Sequence, residues 1–149
     1  MPDLEDIYSQ RILELAASIP HAGRLAHPDA TATAHSKLCG STVTVDIRMQ
    51  GDVISDFAQS VKACLLGQSS ASVVGAHVIG STAAEVRAVG AQMRAMLKAG
   101  GPPPAGKWKD LEALEPVKDV KARHTSTLLI FEALERAIGE VEQKRKSAA

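Results

Sequence analysis

A strict alternation of apolar and polar residues over 42–49 constrains the fold of this chain more than any other feature. The apolar members are Val43, Val45, Ile47 and Met49. A period of two is typical of a β-strand with one buried face. The segment Gln50–Asp52 then predicts a hairpin turn, and Val53, Phe57 and Val61 share one face of a second strand. One face of this hairpin therefore needs a covering layer.

The flanking segments supply a third strand and the covering helices. Ala30–His35 alternates small residues with threonine and predicts a strand before the hairpin. Before this strand, apolar residues at helical spacing predict a helix that Pro20 ends. They are Leu4, Tyr8, Ile12, Leu15 and Ile19.

After residue 63 the pattern becomes helical. One helical segment closes on Gly80, and Thr82 with Glu85 forms a capping box that opens the next helix, whose inward residues are Val86, Val89, Met93 and Leu97. The proline-rich segment 99–106 predicts a stiff, exposed connector. Another apolar trio, Trp108, Leu111 and Leu114, predicts a short turn ended by Pro116.

The last helix is predicted from about Thr125, with a charged, fraying tail over 140–149. Strands first and helices afterwards indicate a single α+β domain over residues 1–149. We expect a three-stranded antiparallel sheet with helices packed on one face.

Composition excludes several functional classes. The formal net charge is zero, whereas nucleic-acid binding needs a basic surplus. No apolar run is long enough to span a membrane. The acidic start has no secretory pattern, and two cysteines without one predict a cytoplasmic protein with free thiols rather than a disulfide framework.

The two cysteines are the main candidates for chemistry. Cys39 lies in a polar loop beside Gly40, directly before the clearest strand, so local context leaves packing and function equally open. Cys64 lies where the strand pattern ends and a helix begins, and unpaired N–H groups at a helix start favour a thiolate. Packing remains the alternative for Cys64, because Leu65 and Leu66 follow directly.

No self-contained catalytic or metal motif accompanies them. His124 precedes the last helix beside Arg123, and a histidine at a helix start is more often a surface or supporting residue than a metal ligand. No HxxxH or CxxC spacing, glycine-rich phosphate loop or GxSxG turn is present.

Three stretches together resemble the U-type iron–sulfur cluster assembly scaffold family, which is similar to the N-terminal domain of NifU. They are the opening "IYSQRILELAASIPHAGRL", the central "CGSTVTVDIRMQGDVISDFAQSVKACLLGQSSASVV" and the final "KARHTSTLLIFEALER". The resemblance extends from about Ile7 to Arg136 and covers the order, spacing and type of the elements.

The resemblance implies a cluster site at one end of the molecule. In that family three cysteines and an aspartate converge there and hold zinc or a nascent [2Fe–2S] cluster. Cys39 and Cys64 match the first two cysteines, as sulfur acceptors and ligands of iron, a [2Fe–2S] cluster or zinc. Ser41 stands at the aspartate position and Ser126 at the third cysteine position, or Thr125 if the register shifts by one.

Two thiolates are too few for zinc or a cluster. His124 is a candidate third ligand and His35 a candidate fourth. Alternatively, a homodimer shares one cluster between Cys39 and Cys64 of each chain, or a small thiol such as glutathione completes the shell.

Three functions follow from the resemblance. The leading one is a non-enzymatic scaffold or carrier that receives sulfur from a cysteine desulfurase and passes clusters to apo iron–sulfur proteins. The second is a persulfide relay, with or without zinc, that never builds a cluster. The third is a metal-free adaptor of the assembly pathway.

Overall fold

The computed structural model describes residues 8–37 and 40–148. Its sheet has the predicted three antiparallel strands in the order β1 (Ala30–His35), β2 (Thr42–Gln50) and β3 (Val53–Lys62). Gly51, at a φ of 62°, forms the predicted turn between β2 and β3. Its helices are α1 (Gln10–Ala16), α2 (Leu65–His77), α3 (Ala83–Ala99) and α4 (His124–Ala148). The α+β prediction is therefore confirmed.

The inner face of the sheet is apolar and carries the helices. Val43, Val45 and Ile47 of β2 are fully buried. Opposite them β1 contributes alanines, in the register Ala30↔Ile47, Ala32↔Val45 and Ala34↔Val43. These small side chains leave room for α4, which crosses β1 and β2, while α2 packs against β3. Burial of this interface is the main stabilising contribution to the fold.

The outer edge of β3 is covered by two loops. The amide of Gln59 donates to the carbonyl of His21, and the carbonyl of Gln59 accepts from Gly23. Near the other end of the strand, Ile54 exchanges backbone hydrogen bonds with Gly80 and Ser81. These contacts satisfy groups that an edge strand otherwise offers to another chain.

Helix α1 differs from its prediction at its C-terminal end. It ends at Ala16, before Pro20, and Ile19 lies half-buried beyond it. The stripe position Leu4 lies outside the described residues. Ile12 and Leu15 are buried as predicted.

The capping box of α3 is only partly formed. Thr82 Oγ1 accepts from the amide of Glu85, as predicted, and all four predicted inward residues of this helix are buried. The carboxylate of Glu85 does not reach back to the cap. It accepts from the indole of Trp108 at 3.0 Å and pairs with Lys107 at 2.9 Å, which ties α3 to the following segment.

The segment after the prolines is longer than predicted. A 3₁₀ helix spans Gly106–Asp119 and contains Pro116 in its interior, so this proline does not end it. Its buried residues, at intervals of three, are Trp108, Leu111, Leu114 and Val117. Three residues per turn is the 3₁₀ period, which aligns these side chains on one face. Within the connector before it, which we expected to be exposed, Pro104 is buried.

The C-terminal tail also differs from its prediction. Residues 140–149 were expected to fray, but α4 continues to Ala148. Arg145 donates to the carbonyls of Met49 and Gly51, and Lys144 donates to the carbonyl of Asp29 at 2.8 Å. Arg145 thus holds the last turns of α4 against the β2–β3 hairpin, and Lys144 holds them against the residue before β1.

No helix of the described residues is both long enough and apolar enough to cross a membrane.

Candidate functional site

Cys64 lies between the end of β3 and the first turn of α2. It is the N-cap of α2, with extended backbone angles (φ −65°, ψ 170°), and its side chain makes no capping hydrogen bond. The thiol is half-buried and free. Its neighbour Leu65 is 37% exposed, so apolar surface adjoins the thiol. The first-turn amides of α2 create a local positive potential beside the sulfur.

Ser126, on the first turn of α4, contacts Cys64. The thiol donates to Ser126 Oγ over a Sγ–Oγ distance of 3.5 Å, and Ser126 Oγ donates to the carbonyl of Arg123 at 3.2 Å. Ser126 is 1% exposed. Thr125, the alternative from the shifted register, is exposed and lines a different cleft. Ser126, rather than Thr125, therefore contacts Cys64, which lies 62 residues earlier in the chain.

Gly67 makes this contact sterically feasible. A Cβ at Gly67 would lie 2.8 Å from Ala63 Cβ and 3.0 Å from the carbonyl oxygen of Ser126. The absence of a side chain therefore lets the start of α2 approach the start of α4 closely.

His124 is directed toward a different group of residues. It is 8% exposed, and its Nε2 donates to the carbonyls of Val117 at 3.0 Å and Lys118 at 3.1 Å. Because Nε2 holds the proton in this arrangement, only Nδ1 is left for the predicted metal ligation. Two residues separate His124 from Ser126, which corresponds to about 200° around a helix, so the two side chains leave α4 on opposite sides.

Cys39 lies outside the described residues. Its loop is described on either side: Ser36 N–H donates to the carbonyl of Ser41 at 2.8 Å, and Gly40 has a φ of 71°, which favours glycine. Ser41 is 2% exposed.

The strand register brings the two thiol-bearing segments to one end of the sheet. Thr42, directly after Ser41, pairs with Lys62, and Cys64 follows Lys62 by two residues. The candidate fourth ligand, His35, is exposed at the end of β1, where its Nδ1 lies 2.9 Å from Thr42 Oγ1.

Comparison with known proteins then decides the family. The family described as NifU-like N terminal domain matches residues 7–148. The chain belongs to this family.

Relatives agree with this assignment. The chain is 26% identical to the iron–sulfur cluster assembly scaffold protein IscU of Thermotoga maritima over 139 residues, 92% of this chain and 96% of that protein. A crystal structure of a nitrogen-fixing NifU-like protein (N-terminal) from Brucella abortus is 54% identical, with a TM-score of 0.93 over 95% of this chain and 98% of that one.

A more distant structure shares the fold. It is a putative iron–sulfur cluster assembly scaffold protein for the SUF system from Fervidobacterium islandicum AW-1, at 23% identity and a TM-score of 0.83 over 91% of this chain and 99% of that one.

In this NifU-like domain, hydroxyls stand where the family resemblance implies two further ligands. Ser126, which the resemblance assigns to the third cysteine position, contacts Cys64, and Ser41 is the residue that it assigns to the aspartate position. Neutral hydroxyls are poor ligands for zinc or iron beside thiolates. Within residues 8–37 and 40–148, no three His, Cys, Asp or Glu side chains are grouped so that they could hold a metal ion.

Sequence reasoning missed the buried carboxylate of Asp46 on the outer face of β2. It accepts from Arg24, Thr31 Oγ1 and the amide of Leu25. Burial is the largest single influence and opposes ionisation, but these hydrogen bonds outweigh it and hold the pKa of Asp46 below its ordinary value. Asp46 thus fastens the loop after α1 onto the sheet. An aspartate inside an otherwise apolar and threonine-rich strand was the signal available in the sequence.

Proposed function

We propose that this NifU-like domain is a scaffold or carrier in iron–sulfur cluster assembly, with Cys39 and Cys64 as its cluster-binding residues. Sulfur would arrive from a cysteine desulfurase as a persulfide on one of these thiols. An external two-electron donor, a thiol or a redox protein, would reduce this sulfane sulfur to sulfide and leave the cysteine as a thiolate. Iron and the sulfide would then be held as cargo and passed to apo iron–sulfur proteins. Membership of the family supports a role in iron–sulfur cluster assembly. The cluster ligands, the sulfur donor and the cluster type are the parts that we propose.

The observation that carries the proposal is the position of Cys64. Its thiol is partly exposed at the start of α2, where the helix amides favour a bound anion such as sulfide. The β2–β3 register supports Cys39 as its partner, because the segment after Cys39 pairs beside the segment before Cys64.

Ligand number shapes the rest of the proposal. One chain supplies two thiolates, whereas a [2Fe–2S] cluster takes four protein ligands. Two protomers that each supply Cys39 and Cys64 satisfy this number. Glutathione as an exogenous ligand is the alternative. Ligation by His124 would require its side chain to leave the carbonyls of Val117 and Lys118 and turn toward the thiols.

Anaerobic reconstitution with iron, sulfide and a reductant tests the proposal. We expect visible cluster absorption, one [2Fe–2S] cluster per two chains, and a shift from monomer to dimer in analytical ultracentrifugation. Cys39→Ser and Cys64→Ser should each abolish the absorption. Thr125→Ser, a conservative change at an exposed position of the same helix turn, should retain it. Absence of a cluster in the wild-type chain, or its persistence in both cysteine variants, would refute the scaffold role.

A persulfide relay without a cluster is the second candidate, and Ser126 favours it. A hydroxyl in contact with Cys64 leaves a thiol free to take up sulfur while removing the ligand that a metal would need. After incubation with a cysteine desulfurase and cysteine, this function predicts a mass increase of about 32 Da, one persulfide sulfur atom, on Cys64 or Cys39 without bound iron. Failure of either cysteine to acquire sulfur would exclude it.

A further inference from the structure

A cleft away from Cys64 is lined by three lysines. It lies where the C-terminal end of α3, the end of the 3₁₀ helix and the start of α4 meet, and it has a volume of about 340 Å³. Its lining residues are Leu97, Lys98, Lys118, Lys121, His124 and Thr125. Because His124 and Ser126 leave α4 on opposite sides, this cleft is separate from the thiol site.

The charge of this cleft is one-sided. No carboxylate lines it, and none of its three lysines forms an ion pair within the described part of the chain. Four other clefts of the molecule each carry at least one Asp or Glu. In a chain of zero formal net charge, three lysines around one cleft are a local excess of positive charge.

Three further features add to the lysines. The 25-residue helix α4 begins at the cleft, so the positive end of its dipole faces the same space. His124 lines the cleft while 92% buried, and its Nδ1 has no hydrogen-bond partner among the described residues, because Nε2 takes both carbonyls. The hydroxyl of the exposed Thr125 supplies a neutral donor.

We propose that this lysine cleft binds a small polyanion that carries phosphate or carboxylate groups. Lysine ammonium groups act as mobile point charges, which suits clustered oxyanions without demanding one planar geometry. The unpartnered Nδ1 of His124 accepts a hydrogen bond from a protonated oxygen or hydroxyl of the same ligand. The apolar side chain of Leu97 forms part of the wall and limits hydration of the bound anion.

Isothermal titration at low ionic strength with pyrophosphate and, separately, with citrate tests the proposal. We expect submillimolar binding of at least one of them, weakened by added salt because the interaction is electrostatic. The two ligands distinguish a phosphate site from a carboxylate site. Amide NMR spectra should shift at Thr125 and leave β1 residues such as Thr33 unchanged.

The decisive comparison uses two charge-matched variants. K118Q/K121Q removes two charges from the cleft, whereas K109Q/K146Q removes two exposed lysines elsewhere. We expect the first to weaken binding about tenfold and the second less than twofold. Equal weakening by both variants, shifts scattered over the surface, or no binding to the wild-type chain would overturn the proposal. The titration needs neither iron nor a desulfurase, so its failure leaves the scaffold proposal untouched.

Discussion

Restoring a thiol at position 126 should turn the site into a metal-binding one. The structure sets the geometry: Cys64 Sγ and Ser126 Oγ are 3.5 Å apart. Two thiolates on a tetrahedral zinc, at about 2.3 Å each, are about 3.8 Å from one another. Ser126→Cys therefore needs only a small displacement to place a second sulfur at zinc distance, with Cys39 as the proposed third ligand.

The size of the effect follows from linkage. Free zinc at about 100 times its dissociation constant stabilises a folded protein by about 2.7 kcal/mol. For a chain of this length, that corresponds to a rise in melting temperature of roughly 5 to 10 °C. The wild-type chain, with hydroxyls at positions 41 and 126, should show little of this rise.

Thermal unfolding with and without zinc, under reducing conditions, measures the stabilisation, and metal analysis after dialysis gives the stoichiometry. We expect S126C to retain close to one zinc per chain. Thr125→Cys is the matched control, because it adds an exposed thiol one residue away on the lysine-cleft side. Equal zinc uptake by the two variants, or none by S126C, would refute the reasoning that Ser126 stands at a ligand position.

Two further predictions concern stability. Because the folded-state pKa of Asp46 is lowered, its contribution is present above the unfolded pKa and lost as pH falls through the folded pKa. Asp46→Asn should cost about 2 to 3 kcal/mol in urea unfolding at neutral pH and far less in strong acid; an equal cost at both would contradict the assignment. Gly67→Ala should cost about 1 to 3 kcal/mol, since the new Cβ meets backbone near Ser126, whereas Gly139→Ala in α4, with no atom within 4 Å, should stabilise the protein. Calorimetric melting of both glycine variants separates overpacking from helix propensity. Melting temperatures that shift in the same direction in both variants would reject the steric role of Gly67.

The sheet was predictable because its signal is local. Alternation in β2, the turn at Gly51 and the alternating β1 each follow from a few adjacent residues, and the structure reproduces them. The 3₁₀ helix was predicted too short, because three apolar residues at intervals of three, Trp108, Leu111 and Leu114, also fit a short amphipathic turn. In the structure this segment packs against α2 and α3, and the conformation continues past Pro116.

The tail of α4 and the environment of His124 depend on contacts that are remote in sequence. Arg145 anchors the tail by donating to hairpin carbonyls almost a hundred residues away in the chain. The sequence of the tail alone does not predict this contact. His124 was a candidate ligand because it lies near Ser126 in sequence. The helix turns the two side chains apart, and the end of the 3₁₀ helix offers carbonyls to the imidazole.

Ser126 supplies no thiolate, but its position relative to Cys64 still suits a shared ligand. Gly67 lies against the Ser126 backbone, and the serine hydroxyl contacts Cys64. The starts of α2 and α4 are therefore close enough for a side chain at position 126 to share a ligand with Cys64, although the atom present there is a hydroxyl oxygen. Under the scaffold proposal, the ligands beyond Cys39 and Cys64 come from a second protomer or an exogenous thiol. The reconstitution experiment therefore has to distinguish a cluster shared by two protomers from a persulfide relay without a cluster.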